Sequence, residues 1–250
     1  MYRLITFDVK DTLLKTRYPI GIMYTEAGKL FGINRIKSEL IDENFKKEWK
    51  KMCLIHPNFG LNGIGWENWW QRIVKSTFLN STNEKINDVS LNKLSLHLLD
   101  LFSKADAWKF NDGTIELLDT LKSNKIVLGT ISNFDIRLHR IIKEFGIDKY
   151  FSFILTSYET NFYKPDVNIF KLAERKYEEK TGNKLNGIDA LHVGNSIEHD
   201  INGARNAGWS AAYISEKWNL HKFESKEHIL SFKNLNELKQ YLILKQQISN

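Results

Sequence analysis

Leu4-Ile5-Thr6-Phe7-Asp8-Val9-Lys10-Asp11-Thr12 is the stretch that decides the reading of this chain. Its first four residues are apolar, β-branched or aromatic, which makes a short buried strand. That strand runs straight into a carboxylate, Asp8. Past Thr12 the apolar period changes. Ile22 to Phe31, Leu40 to Trp49, Trp66 to Phe78 and Leu91 to Phe102 all show helical apolar spacing. The turn-forming groups Pro57-Asn58-Phe59-Gly60 and Asn62-Gly63 break this block, which reads as several helices without a strand.

Beyond Asp112 strands and helices alternate. Apolar runs at Ile126 to Ile131, Phe153 to Thr156, Ala190 to Val193 and Ala211 to Ile214 read as strands. Helical patterns lie between them, at about Gly113 to Leu121, Ile136 to Phe145, Val167 to Glu179 and Ile201 to Ala207. A last helix is expected over Leu235 to Leu244. Strands separated by helices of this length imply βαβ units and a parallel sheet. The class is therefore α/β, with a helical insertion after the first strand. Ligands of open parallel sheets bind beyond the carboxyl ends of the strands, and an insertion leaving that edge is expected to cover the site as a lid.

The composition bounds the function. The chain has 250 residues, 42% hydrophobic and 26% charged, as in a soluble globular protein. No apolar run approaches the ~20 residues of a membrane span. No secretory signal is read at the start, and a single cysteine, Cys53, excludes an internal disulfide and fits a reducing compartment. Cytosol is the expected location, with the nucleus left open. The net charge of +6 comes from lysines interleaved with glutamates, as in Glu174 to Lys180. That is a solvated surface rather than a nucleic-acid stripe.

Four strand ends carry polar residues: Asp8 to Thr12, then Thr130-Ile131-Ser132-Asn133, then Tyr163-Lys164-Pro165-Asp166, then Gly194-Asn195-Ser196 with Asp200. In this order they resemble motifs one to four of the haloacid dehalogenase superfamily, and the insertion is similar to that family's first cap type. The resemblance covers nearly the whole chain. It implies a Rossmannoid parallel sheet flanked by helices, with 1–17 and 106–250 as the core and 18–105 as the cap.

It also implies a chemistry. Asp8 is the expected covalent nucleophile on a small anionic, phosphorylated metabolite. Thr12, Ser132 and Asn133 are the expected phosphoryl ligands. Lys164 is expected to stabilise developing charge and to orient Asp8. A magnesium ion is expected on Asp8, the Lys10 backbone carbonyl, Asn195 and, more weakly, Asp200.

Two positions depart from the family's phosphatase pattern. An acid–base aspartate is expected two residues past the nucleophile, where this chain has Lys10. Asp11 comes one residue late and should face the other way. A metal-binding aspartate is expected after Gly194, where this chain has Asn195. Both changes weaken the metal site, and the first removes help worth ~10²–10⁴-fold in rate. Three functions are compatible with these changes: a slow phosphatase, a degenerate binding protein, or a carbon-centre hydrolase with a halide leaving group. Trp49, Phe59, Trp66, Trp69 and Trp70 form an aromatic group expected to pack inside the insertion. His192 is expected to be a packed residue, and His199 a polar neighbour of the site.

Overall fold

A computed structural model describes residues 2–216 and 229–249. It places eight strands: β1 Leu4–Phe7, β2 Leu14–Thr16, β3 Trp108–Phe110, β4 Val127–Ser132, β5 Phe153–Thr156, β6 Ala190–Gly194, β7 Ser210–Ile214 and β8 Ile229–Phe232. Six of them form one sheet in the order β5-β4-β1-β6-β7-β8, every pairing parallel. β1 lies in the interior of that order, and all four of its residues are buried. A strand covered on both faces needs an unbroken apolar run, which is why the opening stretch was readable.

The chain divides into two compact units. The first comprises Met1–Lys15, Phe110–Asn133 and Phe145–Asn250, and contains the large sheet. Its core brings Leu4, Ile131, Phe170, Ile201 and Trp209 together. Helices Thr114–Ser123 and Val167–Thr181 belong here. The second of these helices starts on Asp166, whose side chain accepts from Asn168 N–H, and ends at Gly182 in a left-handed conformation.

The second unit comprises Thr16–Lys109 with Phe134–Glu144. Four helices, Ile20–Leu30, Ser38–Ile55, Gly65–Leu79 and Asp88–Leu101, build it, and 18–105 holds no strand among the described residues. Helix Gly65–Leu79 buries Trp69, Ile73, Val74, Thr77 and Phe78, the spacing of one helical face. Asn87 caps the fourth helix by accepting from Val89 and Ser90 N–H. The segment after β4, with helix Arg137–Glu144, packs with this unit. The reason is polar: Trp70 Nε1 donates to Asp135 Oδ2 at 2.7 Å, and the Arg137 guanidinium lies 4.5 Å from the Trp70 ring centre. The aromatic group is core-like. The Trp49, Phe59, Trp69 and Trp70 rings stand 5.1–6.3 Å apart, and Trp69 Nε1 donates to the His56 carbonyl.

Three strands go beyond the sequence reading. β2 and β3 pair in a separate two-stranded ribbon, and each is only three residues long, too short for a period to show. β8 adds to the sheet edge beside β7. Its residues are all half-buried, so no alternation marks it. Among the described residues no helix is long and apolar enough to cross a membrane.

Candidate active site

Register assembles the site, all within the first unit. β1 pairs β4 on one side and β6 on the other, so Phe7 stands between Thr130 and Val193. Asp8 extends this pairing by donating its N–H to the Val193 carbonyl at 2.8 Å. The chain then turns sharply. The Val9 carbonyl accepts from Thr12, Leu13 and Leu14 N–H, and Asp11 adopts a positive φ of 60°. Aspartate tolerates that left-handed conformation better than most residues.

Asp8 is 8% exposed and asymmetrically held. Its Oδ1 accepts from Ser132 Oγ at 2.9 Å and from Lys164 Nζ at 2.9 Å. Oδ2 accepts nothing among the described residues. One oxygen is therefore fixed and the other is available.

Lys164 is 1% exposed. Its ammonium donates to Asp8 Oδ1 at 2.9 Å and to the Ile131 carbonyl at 2.6 Å, and pairs with Asp200 Oδ1 at 2.6 Å. These contacts hold it between the two carboxyls. Asn133 fixes it in turn: its Nδ2 donates to the Lys164 carbonyl and its Oδ1 accepts from Lys164 N–H. The Asn133 amide, expected to hold phosphoryl oxygens, clamps the lysine loop through these two bonds.

Asp200 is held on both oxygens. Oδ1 carries Lys164 and His192 Nε2, and Oδ2 accepts from Ser196 N–H at 2.8 Å. Its carboxylate anchors the lysine. Gly194 makes this possible. A Cβ there would lie 2.2 Å from Asp200 Cγ, so only glycine lets the carboxylate fold back against β6. Thr12 is fully buried, its N–H is used by Val9, and its hydroxyl donates to Asn195 Oδ1 at 3.4 Å. It ties the first motif to the fourth. The Lys10 ammonium pairs with Asp11 at 2.5 Å, and both side chains are about half exposed.

His192 and Thr6 belong to this network, and the sequence reading missed them as site residues. Thr6 and His192 are register partners across β1 and β6. His192 Nε2 meets Asp200 Oδ1 at 3.2 Å, and Nδ1 meets the Thr6 hydroxyl at 2.9 Å. Ionised Asp200 can only accept, so Nε2 carries the proton and Thr6 donates to Nδ1. Strand pairing was the signal that could have found them, because both side chains leave neighbouring strands at one level.

The charges do not balance. Two carboxylates face one ammonium. Burial pushes His192 below its ordinary pKa, so it adds no positive charge. Burial also raises the Asp8 pKa, with help from the Asp200 charge and against Lys164 and Ser132. Burial disfavours ionised Asp200 too, but Lys164 and His192 outweigh it and hold that carboxyl below the usual range. Lys164 is held above the usual lysine value, because Asp200 and Asp8 outweigh its desolvation. Two carboxyls thus compete for one ammonium.

Two carboxyls facing one ammonium, with Asp8 Oδ2 free, fit a divalent cation. The fit is thin, since no group of three or more His, Cys, Asp or Glu side chains placed to hold a metal occurs among the described residues. Asp8 Oδ2 and Asn195 Oδ1 are the side-chain oxygens that would hold it. Magnesium accepts one carboxylate when substrate and water complete its shell.

A family model for haloacid dehalogenase-like hydrolases matches residues 2–208. The chain belongs to that family. The rhythmically expressed gene 2 protein of Drosophila melanogaster is 38% identical over 224 residues, covering 86% of this chain and 84% of the relative. Human haloacid dehalogenase-like hydrolase domain-containing protein 3 is 31% identical over 207 residues, covering 82% and 79%. In fold, the chain is similar to the putative HAD-hydrolase YfnB of Bacillus subtilis, crystallised with magnesium, at a TM-score of 0.68 and 17% identity over 97% of this chain and 99% of that one. The Rossmannoid sheet expected of a haloacid dehalogenase-like hydrolase is thus present, and Asp8 ends its β1.

Proposed function

We propose that this hydrolase acts by covalent catalysis on a small anionic phosphoester, with Asp8 Oδ2 as the attacking atom. One observation carries the reading: Asp8 is a buried carboxylate with Oδ1 pinned by Ser132 and Lys164 and Oδ2 unengaged. Pinning one oxygen fixes the lone-pair direction of the other, which is what in-line attack on phosphorus requires. Lys164 keeps Asp8 oriented, Asn133 keeps Lys164 in place, and Asp200 with His192 and Thr6 holds the far side of the ammonium.

A bound magnesium would supply positive charge for the attacking carboxylate and the phosphoryl oxygens. Asp8 and Asn195 would hold it. Every other contribution comes from the chain's own groups. Asp8→Asn removes the nucleophile while keeping the shape. With activated aryl phosphates and magnesium the variant should lose all turnover, and undiminished turnover would refute the assignment.

A second reading has its own support. Lys164 is engaged by Asp8, Ile131 and Asp200, and Lys10 pairs with Asp11. A fold that binds a ligand without turnover also fits those facts. Lys10→Asp combined with Asn195→Asp separates the two. A large gain in phosphatase rate supports the catalytic reading, and no gain supports the binding one.

A further inference from the structure

We infer that the substrate's leaving group departs as a stable anion without receiving a proton, and that the natural substrate is an acyl phosphate, a mixed anhydride of phosphate and a carboxylic acid. The inference rests on the reading of Asp8 as nucleophile and sharpens it. The two polar side chains that follow Asp8, Lys10 and Asp11, are bound to each other. Asp11 sits on a left-handed backbone with its carboxylate on the Lys10 ammonium. The groups that touch Asp8, Ser132 and Lys164, both give their protons to its Oδ1. Asp200 is engaged by Lys164, His192 and Ser196 N–H. Within this unit no carboxylic acid is placed on Asp8 among the described residues, and the Lys10 ammonium is tied to the Asp11 carboxylate.

An alkyl phosphate expels a strongly basic alkoxide and needs such an acid. An acyl phosphate expels a carboxylate, whose conjugate acid has a pKa of about 4. The electrons then balance without help. Asp8 Oδ2 forms a bond to phosphorus, the phosphorus–oxygen bond to the acyl group breaks, and the electron pair leaves on the carboxylate. The aspartyl phosphate so formed is itself a mixed anhydride. Water attacks its phosphorus, the bond to Asp8 breaks, and the pair returns to the Asp8 carboxylate. The protons of that water stay with the released phosphate and the solvent. Both halves of the cycle expel a carboxylate, so neither needs an acid.

The same logic favours phosphorus over carbon. Displacing a halide would also need no proton. The resulting aspartyl ester, however, hydrolyses only with an activated water. Its hydrolysis at the carbonyl carbon expels an alkoxide, which needs a proton, whereas hydrolysis of the aspartyl phosphate expels a carboxylate, which does not.

Benzoyl phosphate and benzyl phosphate test the inference, because they differ mainly in a carbonyl against a methylene at the leaving oxygen. The full chain with magnesium is mixed rapidly with each. The rate of phosphoryl transfer to Asp8 is read by quenching and mass spectrometry, together with kcat/KM corrected for uncatalysed hydrolysis. Benzoyl phosphate should label Asp8 and turn over, with benzyl phosphate at least ~10²-fold slower. Lys10→Asp, an exposed change whose folding is checked by its Tm, should raise the ratio of benzyl to benzoyl phosphate turnover by ~10²–10⁴-fold, the worth of a general acid. Equal labelling by the two esters, or an unchanged ratio in Lys10→Asp, would overturn the leaving-group inference while leaving Asp8 as nucleophile. A small 2-halo acid that labels and turns over where benzoyl phosphate does not would overturn the choice of phosphorus. No labelling of Asp8 by any of the three would overturn the underlying reading itself.

Discussion

Two buried carboxylates in this molecule have opposite characters. Asp135, in the helical unit, is saturated. Its Oδ1 accepts from Arg137 N–H and Nε, and its Oδ2 from Arg137 Nη2 and Trp70 Nε1 at 2.7–3.0 Å. Asp8, in the sheet unit, has one oxygen occupied and the other open. Both carboxylates face a buried cation. Arg137 forms a two-pronged pair with Asp135 and lies near the Trp66 and Trp70 rings. Lys164 divides its single charge between Asp8 and Asp200. A saturated buried pair is a structural joint. A buried carboxylate left short of partners is an unstable arrangement whose retention calls for a chemical use.

The largest expected effect breaks the joint. Asp135→Ala strands the Arg137 guanidinium and should cost ~3–5 kcal/mol of stability. Asp8→Asn should cost almost nothing and can raise the Tm, because the Asp8 pKa is raised on folding and its ionised form destabilises the native state at neutral pH. Denaturant titrations of both variants check the contrast. Equal losses would erase the distinction drawn between the two carboxylates.

Gly194→Ala sharpens the comparison on the sheet side. The added methyl meets the Asp200 carboxyl and should push it off Lys164. A loss of ~1–3 kcal/mol is expected for such overpacking. It should be accompanied by a fall in any Asp8-dependent turnover, because Lys164 loses its second anchor. A stable variant with unchanged turnover would show that Asp200 does not position the lysine.

The smallest effect is a pH slope. His192 is held neutral, with its pKa below the ordinary 6.5. Below that pH the unfolded chain takes up a proton that the folded chain refuses, so stability is full above about 6.5 and falls as the pH drops through the window beneath it. The slope is at most about 1.4 kcal/mol per pH unit. His192→Gln keeps an amide donor near Asp200 and should flatten this part of the profile. An unaltered profile would mean that His192 does not titrate as described.

Much of this was legible in the sequence, for definite reasons. β1 and β5 were bounded by the sequence to the residue, since buried apolar runs end where polar residues begin. β8 and the β2–β3 ribbon were not, since half-buried or three-residue strands leave no period. In the site, Asp8, Ser132 and Lys164 were recognisable as strand-end residues. What they do to each other was not. That Lys164 sits between Asp8 and Asp200 and that His192 meets Thr6 are consequences of cross-strand register. Asp135 escaped notice because its partners are a residue two positions on and a tryptophan 65 positions earlier. Lys10 and Asn195 were visible as departures, but only the structure turns Lys10 onto Asp11.

The central claim is that Asp8 Oδ2 attacks phosphorus. It is tested most directly by mass spectrometry of the full chain quenched during reaction with benzoyl phosphate, with the adduct located by peptide mapping. A phosphoryl group on Asp8, absent from Asp8→Asn, is the expected result. Turnover with no adduct, or with the adduct on another residue, would contradict it.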